Sequence, residues 1–160
     1  MKNAAKLICA VMTLVLVFGM TACFKHPAAT KSDIKELKKN NGDMLVIISY
    51  PQEAMTEEQF EAGTLRMSVS YSGYAYNPNP FNNSKVRIPD DEYLKIYNFC
   101  VESTNKNKFA EYKEDVCDGN TFSFTFIDTE GNAHVIYSGY CYDNKELLDI
   151  MGMISKYSID

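Results

Sequence analysis

Residues 71–76 read Tyr-Ser-Gly-Tyr-Ala-Tyr, and residues 137–142 read Tyr-Ser-Gly-Tyr-Cys-Tyr. Each copy closes a run that alternates like a strand. In the first run Leu65, Met67, Val69 and Tyr71 point one way, and Arg66, Ser68, Ser70 and Ser72 the other. A period of two puts one set on each side of a sheet, one side dry and one wet. Self-similarity within a chain constrains architecture before any single motif does. Here it predicts two units of one kind, each reading strand, strand, helix, with the repeated stretch ending the second strand.

The flanks fit that plan. Met44 to Tyr50 is a continuous apolar run stopped by Pro51, which reads as a centrally placed strand. Thr56-Glu57-Glu58-Gln59 has the form of a capping box and Gly63 would end the short helix it starts, a long hairpin connection being the alternative. Asn77-Pro78-Asn79-Pro80 is loop, and the loop is taken to run through residues 75–87. Asp90 is placed to cap a helix on which Tyr93, Leu94, Tyr97, Cys100 and Val101 recur on one face. Phe122, Phe124 and Phe126 alternate towards Asp128-Thr129-Glu130-Gly131, a type I turn with a glycine bulge, and residues 132–142 return. Asp143-Asn144-Lys145-Glu146 then opens a closing helix with Leu147, Ile150, Met151, Ile154 and Tyr157 as its apolar stripe. The simplest assembly is α+β: an antiparallel sheet of about four strands with two helices packed on one face. Aligning the copies puts Val69, Val135, Tyr71 and Tyr137 inward.

The beginning of the chain is of another kind. Lys2 and Lys6 precede an apolar run from Leu7 to Ala22, the pattern of a secretory signal. Its end, Met20-Thr21-Ala22-Cys23, resembles the lipobox of bacterial lipoproteins, in which the chain is cut before a cysteine that carries diacylglycerol. Met20 stands where that family usually has leucine. The alternative is ordinary secretion with Cys23 incidental. The division predicted is a signal peptide at 1–22, a lipidated cysteine with a flexible tether at 23–43, and one α+β domain at 44–160. His26 falls in the tether as a solvated residue. Losing residues 1–22 removes Lys2 and Lys6 and no acid, taking the formal charge from −5 to −7. An acidic chain without a basic stripe has no footprint for nucleic acid, and the lipid alone would hold it to a membrane.

From Asp118-Gly119 through Ser123-Phe124, Asp128, Gly131, Gly139-Tyr140 and Glu146-Leu147 the chain resembles small uncharacterised lipoproteins of Gram-positive-type bacteria. The resemblance implies location and fold and brings no activity with it.

Motifs of catalysis are missing from the sequence: no phosphate-binding glycine loop, no Gly-x-Ser-x-Gly, no His-Glu-x-x-His. Glu114, Asp115 and Asp118 lack calcium-loop spacing and read as a solvated acidic loop. His134 reads as a surface histidine on the wet strand face, with neither metal nor cofactor assigned. Cys117 lies diagonal to Cys141 across the predicted hairpin, so the two either form a disulfide or stand as separate buried thiols. The candidate binding surface is the wet sheet face, with Ser70, Ser72, Tyr74, Tyr76, His134 and Tyr140. Tyrosine with serine makes an adaptable recognition surface, and equally suits any half-wet strand. The function expected is a lipid-anchored extracytoplasmic binding module, not an enzyme, meeting an envelope protein, peptide or glycan. An inhibitor or immunity-type protein, and an extracytoplasmic hydrolase, are the alternatives.

Overall fold

The structure is a computed structural model that describes residues 25–51, 56–76, 85–115 and 119–157. The signal segment, Cys23 and Cys117 lie outside the described residues. In chain order the elements are α1 (Ile34–Leu37), β1 (Asp43–Pro51), α2 (Glu57–Gly63), β2 (Leu65–Ser70), β3 (Tyr74–Tyr76), β4 (Lys85–Arg87), α3 (Asp90–Lys106), β5 (Asn120–Ile127), β6 (Ala133–Gly139) and α4 (Lys145–Ser155). The fold is α+β, as expected. The sheet, however, has six strands in the order β4-β3-β2-β1-β5-β6, every neighbouring pair antiparallel.

The two additional strands, β3 and β4, take up the two ends of what was expected to be a loop at 75–87. Its Asn77-Pro78-Asn79-Pro80 turn lies outside the described residues. The first of them starts because the tyrosine-rich stretch turns the chain as well as ending a strand. Gly73 sits at φ +85 and its N–H reaches the Ser70 carbonyl at 3.0 Å, so the chain reverses within the motif and Tyr74–Tyr76 starts a new strand beside β2. In the second copy the chain runs past Gly139, at φ +155, into the connection to α4. The repeat therefore holds in its tyrosines and glycines: Tyr71 and Tyr137 are both buried, and both glycines adopt backbone that L side chains rarely tolerate.

β1 is central, with Met44, Leu45 and Ile47 fully buried. On the covered face Leu45, Ile47, Val69, Tyr71, Phe124, Phe126 and Tyr137 form one core with Tyr93, Ile96, Tyr97 and Cys100 of α3 and Leu147, Ile150 and Ile154 of α4. Each fully buried apolar side chain of this size contributes roughly 1.5–3 kcal/mol. Two of the three expected caps form. At α3 the N-cap position falls on Pro89 with no side-chain cap bond, and Asp90, expected to cap, is the first helical residue and pairs with Lys38 instead. The Thr56 hydroxyl accepts from the Gln59 N–H at 3.2 Å, and at α4 the cap is Asn144, one residue after the expected Asp143, accepting from Leu147 N–H at 3.1 Å.

The hairpin of β5 and β6 departs from the expectation in one place. Phe124 faces Tyr137 but Thr125 faces Val135, so Ile136 is an extra residue in the ladder. Such a bulge reverses the facing of the strand on one side of it relative to the other. Tyr137 stays inward while Val135, expected inward, is 66% exposed on the open face. His134, expected on the wet face, lies opposite Phe126 on the covered one. The bulge also moves the far end by one residue, placing Phe122 opposite Gly139. Cys141 is a free, buried thiol, its pKa pushed up to about 12 by burial and by the nearby Glu114.

Candidate functional site

Two regions carry chemistry: the open sheet face and a cluster beneath the β5–β6 turn. The register brings most of the expected surface together. Ser70, Tyr74, Tyr76, Ser68, Ser123, Thr125 and Ser138 share the face opposite the helices. Ser70 and Ser72 hydroxyls are 2.9 Å apart, and Ser70 also accepts from the Tyr74 N–H. Tyr74 is 38% exposed, and Val135 stands among these polar groups. Tyr140 lies past the end of β6, its carbonyl accepting from the Tyr137 hydroxyl and its ring packed against Tyr142 at 6.3 Å between centroids. It is outside the paired ladder. His134 is absent from the open face.

Arg66 was expected on this face; Lys85 and Arg87, which β4 brings to it, were not. Arg66, Lys85 and Arg87 share it by register, and Asp43 is the one acid there among the described strand residues. Asp43 is already held by Arg66 at 2.9 Å and by the Ser68 hydroxyl at 3.1 Å. A chain of net negative charge thus gathers cations beside Tyr74 and Tyr76.

The second region begins with Asp128, whose side chain closes the turn it starts. Oδ1 accepts from the Glu130 N–H at 2.9 Å and the Asn132 N–H at 2.8 Å. Oδ2 accepts from Asn132 Nδ2 at 3.0 Å and lies 2.9 Å from His134 Nε2. Burial acts to raise the carboxyl pKa. The hydrogen bonds from His134, the Asn132 side chain and the two turn amides outweigh it and hold the group well below the usual carboxylate range. Asp128 is therefore an ionised carboxylate although only 4% exposed.

His26 completes the cluster, where a solvated tether histidine was expected. In place of a free tether, residues 26–43 dock on the body. Asn105 of α3 accepts from the His26 N–H at 3.0 Å and donates to its carbonyl at 2.7 Å. Asn98 does the same for Ala29 at 2.8 and 2.9 Å. The spacing matches: seven helical residues rise about 10.5 Å, close to the length of three extended ones. Ile34 of α1 reaches the core, and Lys38 pairs with Asp90 at 2.5 Å. This places His26 Nε2 3.7 Å from Asp128 Oδ2, with the two imidazole centroids 5.1 Å apart. Asn98 and Asn105, on the same side of a helix, were the sequence signal for this docking.

The acidic loop serves another purpose. Glu114 accepts from three successive backbone N–H groups, those of Tyr142, Asp143 and Asn144, and from the Tyr112 hydroxyl at 2.6 Å. It pins residues 107–115 to the start of α4. Beside the docked segment lies a groove of about 470 Å³ that includes Asp33, Glu36 and Tyr97. Asp33 is committed to the Thr30 N–H and hydroxyl, at 2.8 and 2.7 Å, so the two acids do not form a poised acid–base pair.

No family model, no curated protein and no solved structure matches the chain.

Proposed function

We infer that this chain is a lipid-anchored extracytoplasmic binding module that meets an acidic protein partner of the cell envelope through its open sheet face. The observation that carries the reading is the composition of that face: exposed Tyr74 and Val135, a field of serines and threonines, and the cations Arg66, Lys85 and Arg87. Aromatic side chains supply contact area at little entropic cost, and hydroxyls adapt their hydrogen bonds to the partner. The basic groups steer an acidic partner and fix its orientation. Anchoring is inferred from the lipobox-like Met20-Thr21-Ala22-Cys23. Diacylated Cys23 would hold firmly, each buried methylene contributing about 0.8 kcal/mol.

The test is capture from envelope extract by the immobilised full chain, solubilised in detergent. Wild type is expected to retain a protein that elutes with salt and is lost when Tyr74→Ser or Arg87→Glu replaces the native residue. Retention unchanged in both variants would overturn the assignment of the face.

A further inference from the structure

Three independent devices each deliver one donor atom to the same point beneath the β5–β6 turn. The Asn105 clamp fixes the backbone of His26, the turn amides fix Asp128, and the Ile136 bulge lets His134 face inward on a strand whose far half keeps Tyr137 inward. Bulges recur beside functional sites for this reason: they re-aim a side chain. We propose that His26, Asp128 and His134 form a binding site for one divalent transition-metal ion, with Zn²⁺ the ion that its donors fit.

The geometry is close to what the ion needs. One donor atom from each residue lies within 4.8 Å of the other two, with 3.7 Å from His26 Nε2 to Asp128 Oδ2 and 2.9 Å from His134 Nε2 to the same oxygen. Tetrahedral Zn²⁺, with bonds of about 2.0–2.2 Å, sets its ligands about 3.3–3.4 Å apart. Both separations to Asp128 Oδ2 are within about half an ångström of that value, and the two imidazoles close on each other by side-chain rotation. His26 Nε2 is buried and has no hydrogen-bond partner among the described residues. Buried polar atoms are nearly always satisfied, so a nitrogen left facing a carboxylate and a second imidazole points to a ligand shared by all three.

Charge and surroundings agree. Two imidazoles and one carboxylate are a donor set suited to zinc and its neighbours rather than to calcium or magnesium. The carboxylate is oriented by Asn132, the kind of support that tunes metal sites. Phe126 walls one side, its ring 5.5 Å from that of His26 and 6.0 Å from that of His134. The His134 side chain is 32% exposed, which gives an ion a way in from solvent. To bind an ion through Nε2, His134 would give up its hydrogen bond to Asp128 Oδ2 and carry its proton on Nδ1 instead. The metal would tie the segment after Cys23 to the sheet.

The test is titration of the chelator-stripped full chain in detergent with Co²⁺, followed by its visible d–d absorption, and then displacement by Zn²⁺. One equivalent of Co²⁺ is expected to bind with tetrahedral-type intensity and to be displaced by Zn²⁺. His134→Ala and His26→Gln are each expected to weaken binding more than 100-fold, beyond the roughly 10–100-fold that loss of an orienting group costs. The Asn105 clamp uses only the backbone of His26, so His26→Gln decides the matter if His134→Ala does not fold. No absorption from folded wild type, or absorption that survives His26→Gln, would overturn the site.

Discussion

Asn105 and His26 exchange two hydrogen bonds across 79 residues of sequence, the side-chain amide of one pairing with the backbone of the other as a neighbouring strand would. Asn98 repeats the arrangement at Ala29 two helical turns earlier. The chain from His26 to β1 is thereby part of the fold, so a lipid on Cys23 would sit very few residues from the folded body.

Asn105→Ala should therefore release the segment without unfolding the sheet. Two hydrogen bonds are lost and their backbone partners left wanting, a cost of about 1–3 kcal/mol. Amide hydrogen exchange should quicken at residues 26–29 while β1 and β5 keep their protection. Unchanged exchange at His26 would contradict the clamp.

Glu114 makes stability depend on pH. Burial acts to raise its pKa, but the Tyr112 hydroxyl and the amides of Tyr142, Asp143 and Asn144 outweigh this and lower it. A carboxyl lowered in the folded state contributes stability that is complete above its unfolded pKa, about 4.3, and is lost as pH falls through the folded value. Glu114→Gln should thus lower stability by about 1–3 kcal/mol at pH 7 and narrow its gap to wild type below pH 4. Denaturant midpoints at the two pH values measure this.

The Ile136 bulge predicts opposite fates for two apolar residues on adjacent strands. Val135→Ala, on the open face, should change stability by no more than about 0.5 kcal/mol. Phe124→Ala, fully buried opposite Tyr137, should cost about 3–5 kcal/mol. Equal costs would mean an unbroken ladder with Val135 turned inward.

Lipidation is checked by metabolic labelling with a clickable fatty acid. Label should enter the wild-type chain and be lost with Cys23→Ser, the protein moving from the membrane to the soluble fraction. Label retained by the variant would remove Cys23 as the anchor.

Much of this fold was legible where local chemistry decides the outcome. Thr56 caps its helix, Asp128 and Gly131 make the expected turn, and Met44 to Ile47 form the central strand, because caps, turns and buried runs depend on near neighbours. The Ile136 bulge was not legible. Parity from Tyr137 and parity from the turn disagree along β6, and only the packed sheet resolves the conflict by inserting a residue. The strands β3 and β4 were hidden because Gly73 serves as a turn where Gly139 ends a strand. Packing beyond each copy of the motif sets that difference, since the first copy finds a partner strand in β4 and the second runs on to a helix. The cluster of His26, Asp128 and His134 was out of reach for a similar reason. Its members stand 102 and 6 residues apart in sequence, and one of them arrives through asparagines on a helix.

The most direct measurement is site-specific photo-crosslinking in intact cells, with a photoreactive amino acid placed at Tyr74 on the open face or at Lys95, exposed on α3. Recognition through the open sheet face predicts a discrete protein adduct from position 74, weakened by Arg87→Glu, and none of that size from position 95. The same adduct from both positions, or none from position 74, would contradict it.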